Sequence, residues 1–191
     1  MKQTLTFLFL ILIYHSSTGQ NLVSNGDFEQ YLGCPTNHGQ IDSALFWINP
    51  TVGGGAYGGT PDYFNQCSIV AGVPLNGLGS QQSLSGVGYS GIYLRFTIGT
   101  SEYREYIENA LSFPLTANSC YYFEMYFSLG DYSRYTSDAI GVYFSDSLIT
   151  GITNYSHLPY VQHIQNTVGN FPDIVNWTKV SGNYTANGGE S

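Results

Sequence analysis

Two stretches of this chain alternate apolar and polar side chains at a period of two. Ile92, Leu94, Phe96 and Ile98 interleave with Tyr93, Arg95 and Thr97, and residues 175–185 alternate around Trp177 and Tyr184. That period puts every second side chain on one face, so both segments are predicted as strands with one buried side. Residues 120–129 are aromatic and nearly continuous, residues 140–144 form a short β-prone run, and residues 23–30 are predicted as a first strand. Within that first segment Asn25-Gly26 predicts a bend or bulge that needs a left-handed backbone. Residues 103–115 fit two periods: Tyr103, Tyr106, Ile107, Ala110 and Leu111 have helical spacing, while Leu111, Phe113 and Leu115 alternate, and the strand is favoured. Residues 33–88 are punctuated by Gly53-Gly54-Gly55, Gly58-Gly59, Thr60-Pro61-Asp62 and Asn76-Gly77 and read as long loops, the segments that usually carry binding on a β-sandwich. Regular short strands with turns between them predict an all-β fold built as an antiparallel β-sandwich.

The two ends read differently. Lys2, the apolar run Leu5 to Ile13 and the small residues Ser17 and Gly19 have the order of a secretory signal peptide, with cleavage expected after Gly19. The apolar run is too short to span a hydrocarbon layer of ~30 Å. One sandwich domain is therefore expected over residues 20–191. The closing Asn187-Gly188-Gly189-Glu190-Ser191 reads as a turn leading toward a further strand, so the sandwich is expected to lack its last strand or strands.

Charge and cysteine usage narrow the setting. The net charge is -8, and outside the leader only Lys179, Arg95, Arg104 and Arg134 are positive. Phosphate backbones and anionic lipid surfaces need clustered cations, so nucleic acid and direct membrane insertion are not expected. Charged residues make up 9 % of the chain and aromatics 16 %, a balance far from a disordered composition. In an oxidising compartment the three cysteines would tend to pair. Cys34 and Cys67 lie in turn-rich stretches and are expected to form the disulfide, while Cys120 opens an apolar run and is expected to be buried as a small hydrophobe. Leu32-Gly33-Cys34 has the form of a lipoprotein cleavage box but follows the first predicted strand, the wrong place for one.

The segment Asn21-Leu22-Val23-Ser24-Asn25-Gly26-Asp27-Phe28-Glu29 resembles the opening strand of carbohydrate-binding modules with a galactose-binding-like jelly-roll fold. The rest of the chain resembles secreted domains of gliding or polysaccharide-degrading Gram-negative bacteria. That likeness rests on Trp47, the run Gly59-Thr60-Pro61-Asp62-Tyr63-Phe64-Asn65 with Cys67, Arg104-Glu105-Tyr106-Ile107, Cys120-Tyr121-Tyr122, Ile140-Gly141-Val142-Tyr143-Phe144-Ser145, and Trp177 with Gly188-Gly189-Glu190. The resemblance covers nearly all of residues 21–190 and implies a jelly roll at the cell surface or outer membrane. Such domains stand ahead of peptidoglycan-binding domains similar to outer-membrane protein A, or ahead of sorting domains. It also implies a structural calcium near the first strand, for which Glu29 with Asp27 supplies hard oxygen ligands.

Sugar-binding jelly rolls stack pyranose C–H faces on exposed rings and hydrogen-bond hydroxyls with amides and carboxylates. Trp47, Tyr57, Tyr63 and Asn65, all in the loop-rich stretch, are the expected glycan contacts; Trp177, on an alternating strand, is expected in the core. Signals for catalysis are thin. Gly53, Gly55 and Gly58 satisfy a G-x-G-x-x-G count without the strand and helix that give it meaning, and Ser145-Asp146-Ser147-Leu148 resembles an esterase block with serine in place of glycine. His38, His157 and His163 lack zinc spacing, and Glu105, Glu108, Glu124, Asp131 and Asp138 carry no sign of a glycosidase pair held ~5–9.5 Å apart. Arg104 beside Glu105, and Arg134 near Asp131 and Asp138, are expected to form ion pairs. Asn154-Tyr155-Ser156, Asn176-Trp177-Thr178 and Asn183-Tyr184-Thr185 fit the N-glycan acceptor pattern. In a bacterial setting they read as chance matches. The expected function is a non-catalytic exported module that binds a polysaccharide or cell-surface glycan. A structural N-terminal domain of an outer-membrane or peptidoglycan-associated protein is the alternative, and a small glycan hydrolase comes third.

Overall fold

Alternating side chains demand packing against their apolar face, and twelve strands, most of them short, are present among the described residues. In the computed structural model, which describes residues 19–52, 59–98, 101–137, 140–152, 157–166, 169 and 173–191, these are β1 (Trp47–Ile48), β2 (Asp62–Asn65), β3 (Leu75–Asn76), β4 (Gly79–Ser80), β5 (Gly88–Gly91), β6 (Phe96–Ile98), β7 (Ser101–Tyr103), β8 (Glu108–Asn109), β9 (Cys120–Phe127), β10 (Gly141–Val142), β11 (Ile164–Gln165) and β12 (Thr178–Thr185). The one helical element among the described residues is a 3-10 turn at Ile41–Ser43. The fold is all-β. The named strands join antiparallel in pairs, β1 with β8, β2 with β5, β3 with β4, β6 with β7, β9 with β12 and β10 with β11. Residues 1–18 (most of the expected leader), Tyr57, the Gly53 to Gly58 run, Asp138 and Asn154 lie outside the described residues.

The longest ladder is β9 with β12, eight residues each, in register from Thr178 opposite Phe127 to Thr185 opposite Cys120. Its inner face carries Tyr121, Phe123, Met125 and Phe127 beside Val180 and Tyr184. Val180 packs with Ile140, Leu94, Met125 and Phe127. Tyr184 packs with Leu115, Ile164 and Ala186, flanked by Leu22, Phe123 and Phe144. The outer face carries Cys120, Tyr122, Glu124 and Tyr126 opposite Thr185, Asn183, Ser181 and Lys179. A second core lies under β2, where Ile41, Ala44 and Tyr63 meet Phe28, Trp47 and Ile107.

Several sequence expectations change. Residues 23–30 form a turn rather than a strand: Val23 makes a single bridge to Leu111, and Asn25 and Phe28 sit at positive φ. In place of a bend or bulge within a strand, Asn25-Gly26 forms part of this turn, and Asn25 organises it, giving Nδ2 to the carbonyls of Gln30 and Leu45 while Oδ1 accepts the Gln30 N–H. Within residues 33–88, β2 is buried on both faces, so the segment holds a core strand among its loops. The alternation from Ile92 to Ile98 yields a strand only over Phe96–Ile98, and residues 103–115 hold the end of β7 and the short β8. Cys120 is exposed and free rather than buried, because the register of β9 turns it to the outer face. Cys34 and Cys67 are joined. No helix among the described residues is long and apolar enough to cross a membrane.

Candidate functional site

Three of the four expected glycan contacts are described, and the structure places two of them inside. Tyr63 is 0 % exposed and Asn65 1 %. The Tyr63 hydroxyl donates to the Phe28 carbonyl at 2.9 Å and accepts from Asn65 Nδ2 at 2.8 Å, while Asn65 Oδ1 accepts the Cys67 N–H at 3.0 Å. Burial pushes the Tyr63 phenol up to about 12. Neither side chain offers a face to a ligand. Trp47 is half-buried, stacked on Phe28 with centroids 4.7 Å apart, and its Nε1 donates to the Asn25 carbonyl at 2.9 Å. Trp177, expected in the core, is half-buried, with its edge against Tyr89 and its Nε1 donating to the Gln82 carbonyl at 2.8 Å.

The two residues expected at a calcium part company. Glu29 Oε1 accepts the backbone N–H groups of Val87 at 2.7 Å and Gly88 at 2.9 Å. Gly86, at φ +59°, lets the loop close over that carboxylate, since a Cβ there would land on it. Asp27 stands exposed in the turn. Among the described residues no three His, Cys, Asp or Glu side chains gather as a metal would need.

The densest chemistry collects where β2 meets residues 93–105, around two acids that sequence reasoning did not single out together. Glu105 is 2 % exposed. Its Oε1 accepts from the Thr60 N–H at 2.7 Å, the Thr60 hydroxyl at 3.1 Å and the Tyr103 hydroxyl at 3.0 Å, and its Oε2 accepts the Tyr93 N–H at 2.8 Å. Asp62 is 5 % exposed; its Oδ1 accepts the Gly39 N–H and lies 3.7 Å from His38 Nδ1. Burial pushes Asp62 up to about 6, the Glu105 charge adds to that, and the Gly39 hydrogen bond and His38 oppose it. Asp62 thus holds its proton to a higher pH than an exposed aspartate, inside the fold. Glu105 is an acceptor with four donors aimed at it. The pair fastens the 36–40 loop and residue 60 to the strands behind, which is the work of a structural tie. It was hidden from sequence because all its partners but Tyr103 lie 12 to 45 residues away.

A third acid repeats the pattern. Glu190 accepts from the Tyr184 hydroxyl and from the N–H groups of Asn187 and Gly188, both at 2.8 Å. Desolvation raises its carboxyl, but those hydrogen bonds outweigh it and hold the group at about 2. Above Tyr184 runs a column of rings: Phe144 at 4.8 Å on one side, His163 at 4.6 Å on another, then Tyr143 at 4.6 Å from His163 and Tyr160 at 4.7 Å from Tyr143. His163 Nδ1 accepts the Phe144 N–H at 3.1 Å, which places the neutral ring's proton on Nε2. The column packs against the inner side of β9 and β12, since Tyr184 belongs to that face.

The surface is aromatic as well: Phe113, Tyr122, Tyr132 and Tyr135 are each more than half exposed. No protein-family model, no curated protein and no solved structure matches this chain.

Proposed function

We propose that this chain is an exported, non-catalytic jelly-roll sandwich module that binds glycans or another cell-surface polymer. One observation carries the reading, a division of labour between acids and rings. The buried acids Asp62, Glu105 and Glu190 are engaged by backbone and side-chain partners inside the fold, while Tyr122, Tyr132 and Tyr135 are each more than half exposed. Glycan recognition needs exposed rings with amides and hydroxyls beside them; glycoside hydrolysis needs two carboxylates facing one cleft. The Cys34–Cys67 disulfide suits an oxidising compartment. A glycan array and affinity electrophoresis on residues 20–191 test the reading. Retardation by a polysaccharide without release of reducing ends supports it. Binding to none, or turnover abolished by a single carboxylate substitution, overturns it.

A further inference from the structure

We propose that the outer face of the β9–β12 ribbon is a glycan platform, on which Tyr122 stacks a pyranose ring of an uncharged polysaccharide and Asn183 hydrogen-bonds its hydroxyls. The inference rests on the reading above and names the surface and the ligand class.

Four observations carry it. The first is the shape of the face: eight paired positions on each strand make a ribbon roughly 26 Å long, and every outward residue except the half-buried Tyr126 is exposed. The second is the posture of Tyr122. Its hydroxyl donates to Glu124 Oε2 at 3.1 Å, on the next outward residue of its own strand, and accepts from Lys179 Nζ at 3.3 Å on the other strand. Because Lys179 lies opposite Tyr126, a ring pinned at its hydroxyl to those two neighbours leans along the ribbon, and the residue is 59 % exposed. A tyrosine held by its own hydroxyl loses little freedom when a sugar settles on it.

The third observation is the chemistry around that ring. Asn183 lies directly opposite Tyr122, with Ser181 and Thr185 on either side of it, so amide and hydroxyl groups flank the stacking surface. These groups can donate to and accept from sugar hydroxyls. The fourth is charge. Lys179 and Glu124 pair at 3.4 Å and cancel, leaving a face without net charge on a chain of -8. A polyanion would meet repulsion from the whole molecule and no free cation on this face, whereas a neutral glycan meets neither obstacle.

The test is affinity electrophoresis of the exported chain through gels containing laminarin, xyloglucan, galactomannan or xylan as neutral probes and alginate or polygalacturonate as charged ones. Calorimetry follows with oligosaccharides of whichever polymer retards it. Retardation by at least one neutral polymer is expected. Tyr122→Ala and Asn183→Ala should each weaken binding about tenfold or more, while Tyr122→Phe, which keeps the ring and loses its anchor, should weaken it less than Tyr122→Ala. Tyr160→Ala, on the side of the ribbon that faces the ring column, should stay within about twofold. Melting temperatures near the parent's separate lost binding from lost folding. Neutral-polymer binding unchanged by both Tyr122→Ala and Asn183→Ala overturns the platform and leaves the broader reading standing. Retention by polyanions alone overturns the ligand class. Retention by no polysaccharide overturns both.

Discussion

Asp62 and Glu190 are carboxylic acids of similar intrinsic strength that the fold drives in opposite directions. Asp62 is pushed up to about 6 by burial with one backbone donor, whereas Glu190 is held at about 2 by a hydroxyl and backbone N–H groups. Their effects on stability therefore have opposite signs. Between pH 4 and 6 the folded chain keeps a proton on Asp62 that the unfolded chain has lost. Its contribution is intact below pH 4 and is lost as pH rises through 6, a change of about 3 kcal/mol. Glu190 contributes above pH 4.5, and that contribution disappears as pH falls toward 2. Asp62→Asn should flatten the decline in melting temperature between pH 4 and 6, an effect checked by calorimetric scans across that range; a difference from the parent that does not vary with pH would refute the assignment. Glu190→Gln should lower stability at pH 6 and narrow its gap from the parent as pH drops below 3, read by urea unfolding at fixed pH. The interior roles of Asp62 and of Glu105, the acid beside it, were not legible in the sequence. Asp62 follows a Thr-Pro pair and looks like a turn acid, and Glu105 sits beside an arginine and looks like half of a surface pair; only long-range contacts reveal that both are interior.

Elements built on a clean period were easier to read than those buried on both sides. β12 alternates along its length, so it could be assigned as a strand before any contact was known, although the core residue expected there, Trp177, is half-buried and the inner face carries Val180 and Tyr184. β2 has no alternation because all four of its residues are buried, and the Gly and Pro around it give the composition of a loop. A short buried strand and a loop are alike to a periodicity argument. The same error sent Tyr63 and Asn65 to a binding surface. The disulfide was readable from the turn-rich segments around both cysteines, although Cys120, set aside as a buried hydrophobe, is exposed. Cys34 and Cys67 close a loop of 33 residues, for which restriction of the unfolded chain amounts to about 3–4 kcal/mol. Replacing both by alanine should lower unfolding free energy by that amount in guanidinium melts, with the 62–65 strand still formed. An unchanged denaturation midpoint would show that the crosslink does not constrain this loop.

At the scale of the molecule, the β9–β12 ladder ties the Leu115 and Ile140 clusters to one surface, while β2 and the 3-10 turn organise a separate cluster around Tyr63. Hydrogen exchange should report this arrangement. The inner amides of β9 and β12 should exchange slowest and those of the two-residue β3–β4 pair among the fastest, measured at native pH by mass spectrometry of peptic peptides. Slower exchange in β3–β4 than in the long ladder would contradict it. The all-β class and the two long strands follow from residue order alone, because each depends on near neighbours or on a period of two; the Cys34–Cys67 link follows from the turn-rich composition around both cysteines, and the bend at Asn25-Gly26 was readable although the strand expected around it is absent. The tertiary structure alone decided which acids are locked inside, that Tyr63 belongs to the core, that Cys120 faces out, and that the Tyr122 hydroxyl meets Lys179 and Glu124. Those outcomes depend on register and on partners far apart in the chain, and a one-residue change of register would send each of these strand side chains to the opposite face.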